Sequence, residues 1–241
     1  MNDETEASFI SHLIELRTRL LRCLFAFALL FIALSIYPGS SAIYDFLALP
    51  LTRALPEGTR MLAIGVVTPF MVPLKVTAMA AFALALPFVL YQVWAFVAPG
   101  LYLHEKRLVL PLIISSSLLF LLGMAFCYFL VFGQVFKFIA GFAPKSITPA
   151  PDIESYFSFV LTMFVAFGLS FEVPVALVML VKMGVVQLEK LRAWRSYFIV
   201  GAFVVAAVIT PPDVVSQLAL AIPMCLLYEL GIFAAWLATR R

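Results

Sequence analysis

The constraint that most limits this chain is where its charges are missing. Long apolar segments follow one another from Leu20 to Leu237, and their interiors hold only two carboxylates, Glu172 and Glu229. A hydrocarbon core about 30 Å thick takes roughly 20 helical residues to cross. It offers no water to unpaired backbone groups, so runs of this length must be helices or closed barrels. With 64% hydrophobic and 12% charged residues, a soluble fold would lack the charges to cover its surface. The expectation is an all-α membrane protein, one domain over residues 1–241.

Six apolar segments are expected as spans: 20–37, 76–98, 108–132, 156–181, 197–210 and 214–236, after an amphipathic cytoplasmic segment over 1–19. The fifth and sixth read as short. The fifth has about 14 residues, near 21 Å at 1.5 Å per residue. Thr210-Pro211-Pro212-Asp213 follows it and cannot continue a helix. That turn is expected below the membrane surface, with Asp213 and Gln217 recessed. Lys and Arg set the orientation. With the N-terminus inside, eleven lie on the cytoplasmic side (Arg17, Arg19, Arg22, Lys106, Arg107, Lys182, Lys190, Arg192, Arg195, Arg240, Arg241). Five lie outside: Arg53, Arg60, Lys75, Lys137 and Lys145. Both termini are therefore expected in the cytoplasm. The acidic first 20 residues, with Asp3, Glu4, Glu6 and Glu15, argue against a cleaved leader.

Residues 38–75 and 133–155 mix prolines with apolar side chains, which predicts structured outer caps rather than linkers. Cys23, Cys127 and Cys225 lack ligand-like spacing and read as small hydrophobes. No cofactor, metal or nucleic-acid partner is expected.

Three places could carry chemistry. In Phe9–Arg22, His12, Glu15, Arg19 and Arg22 share a polar stripe. Glu15 and Arg19 can form an i,i+4 pair, or Glu15 can serve a cation site on the cytoplasmic face. Glu105 lies next to Lys106 and Arg107 in the loop after Pro99-Gly100. It can be a solvated charge or a carboxylate that receives a partner's guanidinium, a pairing an ammonium cannot reproduce. Glu172, two residues before Pro174, must bond a neighbouring helix, face a polar cavity or meet a partner, because a bare carboxylate in lipid is costly. A proton-coupled small-molecule transporter with Glu172 as relay is the alternative reading of that residue. An intramembrane hydrolase would need a second catalytic group, and no paired Asp, Ser–Lys, Ser–His or zinc set accompanies it.

Five motifs occur in order: His12-Leu13-Ile14-Glu15-Leu16-Arg17; Thr68-Pro69-Phe70; Gln92-Val93-Trp94-Ala95-Phe96 with Pro99-Gly100-Leu101-Tyr102 and Glu105; Phe171-Glu172-Val173-Pro174-Val175; and Thr210-Pro211-Pro212-Asp213 with Ser216-Gln217. Together they resemble TatC, the multispanning subunit of the twin-arginine protein translocase, over essentially the whole chain. Thr68 is a small departure, since the family carries Ser there.

The resemblance implies six spans in a curved wall with a concave face, in the bacterial cytoplasmic (inner) membrane. It implies a receptor for paired-arginine signal peptides of folded precursors, working with TatA- and TatB-type single-span subunits and driven by the proton motive force. Self-association and contact with membrane lipid are expected with it. Signal binding falls on Glu15 and Glu105, with Arg17, Phe96 and Tyr102. Glu172, Asp213 and Gln217 fall on intramembrane partner docking. Pro50, Pro69 and Phe70 fall on assembly or recognition.

Overall fold

A computed structural model describes residues 2–53, 61–97, 109–142, 150–210 and 213–239. Among these the regular structure is helical: α1 Asn2–Leu34, α2 Ser40–Thr52, α3 Thr68–Val97, α4 Val109–Phe126, α5 Phe132–Phe142, α6 Ile153–Lys182, α7 Leu188–Ala193, α8 Arg195–Ile209 and α9 Val214–Thr239. Five stretches are long and apolar enough to cross a membrane: 11–52, 68–96, 110–141, 153–182 and 214–239. Helix α8, the expected fifth span, has 15 residues and a length of about 22 Å. The sixth, expected short, is not: α9 runs over 26 residues, because its apolar pattern continues past Trp236 to Thr239.

Other boundaries move for local reasons. The amphipathic segment and the first span are one helix, α1, since nothing between Phe9 and Leu34 breaks the pattern. The chain leaves helical geometry at Tyr37, before Pro38. Helix α3 starts eight residues before the expected Val76. Pro69 sits in its first turn, where the missing N–H costs nothing. The carbonyl of Pro73 accepts from Thr77 Oγ1 at 2.8 Å. Lys75, read as a loop cation, therefore lies on a helix. Helix α4 widens into a π-turn at Cys127–Val131 and continues as α5.

Helix α6 is the centre of the bundle, packed against α4 on one side and α9 on the other. Its ends are well defined. Asp152 Oδ2 accepts from the Ser155 backbone N–H and from Ser155 Oγ, both at 2.9 Å, which caps the N-terminus. The bond from the Ser155 backbone holds that carboxyl below the usual carboxylate range. At the other end Gly184, at φ +69°, donates to Val181, and Val185 donates to Leu180. These two bonds close a Schellman turn, which needs a residue without Cβ strain at that position. Pro174 does not end the helix, which runs on to Lys182.

Aromatic side chains fill the core between α5 and α6. Phe132, Phe157 and Phe167 are fully buried, with Phe136 and Phe164 close behind. Phe132 lies 5.4 Å from Phe164 and 5.6 Å from Phe136, ring centre to ring centre. The described parts of the caps are structured, as the prolines and apolar residues predict. Helix α2 buries Leu47, Ala48 and Leu51. Tyr156 and Tyr128 hydroxyls donate to the Leu47 and Phe46 carbonyls, at 3.0 and 2.7 Å. Leu62 pairs its backbone with the strand-like residues before α6, donating to Pro151 and accepting from Ile153, both at 2.9 Å.

Small residues set the helix spacing, as expected where lipid supplies no hydrophobic drive. A Cβ on Gly123 of α4 would meet the Phe167 carbonyl oxygen of α6 at 2.6 Å. One on Gly231 of α9 would meet Pro174 Cα at 2.9 Å. Gly123→Val is therefore expected to destabilise the purified protein by about 1–3 kcal/mol, because a backbone carbonyl cannot step aside. Gly201→Ala, where a Cβ meets nothing within 4 Å, should leave thermal melting in detergent unchanged or raised. Equal melting of both variants would contradict this account of the α4–α6 contact.

Candidate functional site

The first site joins α1 to the end of α3. The expected i,i+4 pair is present: Arg19 Nε and Nη2 donate to Glu15 Oε1 at 2.9 and 2.5 Å. The same guanidinium crosses to α3, where Nη1 reaches Gln92 Oε1 at 3.2 Å and Nη2 reaches the Ala95 carbonyl at 3.1 Å. Gln92 is buried. One residue beyond Ala95, the Phe96 ring stacks on His12 with centroids 4.2 Å apart and planes at 18°. So Glu15, Phe96, His12 and Gln92 form one patch, with Arg19 as its tie. Both bonds fall on a single carboxylate oxygen. The Glu15 side chain keeps 36% of its surface exposed, and its second oxygen remains an acceptor. Arg17 is exposed two residues away, along a shallow groove with Arg22, Phe25 and Phe88. Glu105 and Tyr102 lie outside the described residues, in the segment that continues from this end of α3.

The second site is Glu172. Ser116 of α4, fully buried, donates its hydroxyl to Glu172 Oε2, while Oε1 is buried with no partner among the described residues. The neighbouring hydroxyls serve their own helices: Ser117 donates to Ile113 at 2.7 Å and Ser170 to Ala166 at 2.6 Å. Thus the carboxyl has one donor from the adjacent helix, and the nearby serines do not form a relay beside it. Ser115-Ser116-Ser117 in an otherwise apolar run is the sequence signal that could have found this partner.

The third site is the turn between α8 and α9. Asp213 caps α9, its Oδ1 accepting from the Ser216 backbone N–H at 2.7 Å. Gln217 Nε2 donates to the Phe203 carbonyl of α8 at 3.3 Å. Thr210 and Ser216 are buried beside them. Asp213 Oδ2 and Ser216 Oγ are buried without a partner among the described residues. Pro211 and Pro212 lie outside the described residues. Glu229, the lesser of the two intramembrane candidates, pairs with Arg195 at 2.7 Å across α8 and α9 and is half exposed.

At the end that carries α2 and α5, Pro69 and Phe70 are exposed, with Phe70 at 65%. Their neighbour Thr68 is buried and donates to Glu154 Oε2 at 3.1 Å. Lys75 reaches Glu154 Oε1 at 3.3 Å. This Thr68–Glu154–Lys75 cluster ties α3 to α6 and was not anticipated, since its members stand 79 and 86 residues apart. Pro50 lies within α2, in a separate recess next to Arg53. The three cysteines are free. No group of metal-ligating residues occurs among the described ones.

These features define a class: a multi-pass helical membrane protein whose polar groups tie helices together. The family model for "Sec-independent protein translocase protein (TatC)" matches residues 11–223. The Sec-independent protein translocase protein TatC of Escherichia coli K12 is 52% identical over 97% of this chain and 90% of its own length. That of Aquifex aeolicus VF5 is 41% identical over 95% of each chain. A crystal structure of the twin-arginine translocase receptor TatC superposes with a TM-score of 0.82 at 41% identity, covering 95% of this chain and all of the other. The chain belongs to the TatC family, a core subunit of the Sec-independent translocase and not an enzyme.

The Ser116 bond yields a stability test. Ser116→Ala leaves Glu172 without its donor in a half-buried setting, at an expected cost of about 1–3 kcal/mol. Ser115→Ala, at an exposed position, should leave the melt unchanged. Thermal unfolding of the two purified variants side by side checks this, and a Ser116→Ala protein as stable as the parent would count against the bond.

Proposed function

We propose that this chain is the receptor for paired-arginine signal peptides, with Glu15 and Glu105 as acceptors at the cytoplasmic face and Phe96, Tyr102 and Arg17 around them. The observation that carries the reading is the Arg19 tie. It holds Glu15 against the end of α3, from which the Glu105 loop continues, and both of its bonds to the carboxylate fall on one oxygen. A guanidinium already sits on that carboxylate, so the geometry suits guanidinium as a ligand. A second guanidinium, from the signal peptide, can take the other oxygen or replace Arg19. A fork of parallel N–H donors fits such a site, while a lysine ammonium offers only a point charge.

In this reading both termini are cytoplasmic and the membrane is the bacterial inner membrane, crossed six times with α8 as the short fifth span. The partners are TatA- and TatB-type single-span subunits, further copies of the chain, and the signal peptides of folded precursors. Transport is driven by the proton motive force. Glu172 and the Asp213–Gln217 turn are assigned to partner contact. Each holds a buried carboxylate oxygen without a partner among the described residues, a group that a second helix could satisfy. Pro50, Pro69 and Phe70 are assigned to assembly, in keeping with the exposure of Phe70.

Photocross-linking from position 105 and its neighbours to a labelled precursor in membrane vesicles tests the receptor role. The cross-link should be lost when Arg-Arg in the signal becomes Lys-Lys. Glu15→Ala and Glu105→Ala should each weaken signal binding roughly tenfold or more, as for loss of one charged hydrogen-bonded pair, with the double variant weakest. A double variant that binds normally would sink the assignment. Glu172→Gln should leave signal binding intact and lower transport. Full transport by that variant would show that the carboxyl's charge is dispensable.

A further inference from the structure

We infer that the end of the molecule carrying α2 and α5 holds a binding site for one anionic phospholipid. The headgroup phosphate would sit between Arg53 and Lys137, and one acyl chain would run down between α2, α3 and α4.

Two adjoining recesses make the case. The upper one, about 470 Å³, is bounded by α2 and by the π-turn region, and is lined by Arg53, Lys137 and Pro50 together with Phe46, Tyr128 and Phe129. The lower one, about 280 Å³, shares Phe46, Tyr128 and Phe129 with it. It continues to Met79, Ala80 and Ala125, with no polar surface in its walls. The two recesses adjoin at an aromatic collar, with cations lining the first and an apolar slot forming the second. That is the profile of a lipid standing at the membrane interface: phosphate, glycerol level, hydrocarbon.

Helix geometry opens the space. The extra residue of the Cys127–Val131 turn swings Phe129 outward, leaving it 73% exposed, while Tyr128 stacks on Phe46 at 5.0 Å. Gly133 lies in the mouth, where a Cβ would meet nothing within 4 Å. Both cations are exposed, and neither forms an ion pair with a carboxylate among the described residues. Two cations without a carboxylate partner among the described residues, beside an apolar slot, select a negative headgroup over a zwitterionic one. An inorganic phosphate would satisfy the cations and leave the slot unused, so the lower recess favours the lipid. The argument holds whichever way the chain is oriented in the bilayer.

The test uses the full chain in nanodiscs of phosphatidylglycerol and phosphatidylcholine with identical acyl chains, at equal amounts, read by native mass spectrometry of retained lipid. The parent should retain phosphatidylglycerol roughly tenfold over phosphatidylcholine, in line with two interfacial cations. Arg53→Gln with Lys137→Gln should abolish the preference. Arg53→Lys with Lys137→Arg should keep it, and Ala125→Phe, which fills the slot, should reduce retention. Glycerol phosphate in solution should not displace the bound lipid.

Equal retention of the two lipids by the parent would overturn the proposal. So would an unchanged preference in the double Gln protein. Displacement by glycerol phosphate would replace the lipid with a soluble phosphate ligand and reject the inference. If the double Gln protein does not fold, the other two variants decide. Loss in Ala125→Phe with retention in the Lys/Arg exchange supports the site, and any other combination rejects it.

Discussion

The structure depends on a solvent that cannot hydrogen-bond. In hydrocarbon each unpaired N–H or C=O costs several kcal/mol, so the backbone must close its own bonds wherever it meets lipid. The places where it departs from regular helix are accordingly covered or repaired. The α6 C-terminus folds into a Schellman turn, and Asp213 caps α9 at the turn after α8. At the α2 end, the carbonyls of Phe46 and Leu47 are met by tyrosine hydroxyls from α6 and the π-turn.

Lipid also removes the usual reason for helices to associate, since tails are as apolar as leucine. Close approach and polar ties take over. Gly123 and Gly231 let α4 and α9 come against α6, and the stacked phenylalanines fill the space beside it. The polar ties lie at three levels: Arg19 at the N-terminal end, Ser116–Glu172 within the bundle, and Thr68–Glu154–Lys75 at the opposite end. Each links a pair of helices whose apolar faces alone would slide. The functional candidates are part of this framework. Glu15 and Asp213 each give one carboxylate oxygen to the fold. A ligand that engages them acts on groups already fixed in place.

The family resemblance was legible because its motifs are short, local and ordered along the chain. So was the Glu15–Arg19 pair, since four residues along a helix is one turn. Its continuation was not. Gln92 and the Ala95 carbonyl stand 73 and 76 residues from Arg19. No spacing rule reaches that far. The same holds for Ser116 with Glu172, 56 residues apart, and for Glu229 with Arg195, 34 apart. The starts of α3 and α5 were missed for another reason. Pro69, Pro73 and Gly133 read as loop residues, yet each is tolerated in a first helical turn or in the surroundings it has.

Taken by itself, the sequence determined the solvent, the secondary structure and the family, because a missing charge and a 20-residue apolar run act locally and need no knowledge of neighbours. Which polar group answers which was decided only by tertiary structure. The reach of Arg19 to Gln92, the pairing of Thr68 with Glu154 and the cationic recess beside Pro50 all depend on which helix faces which. The physical reason is that packing in lipid is settled by shape, through glycine contacts and aromatic stacking. Shape is a property of two surfaces together, and one strand of sequence contains only half of each pair.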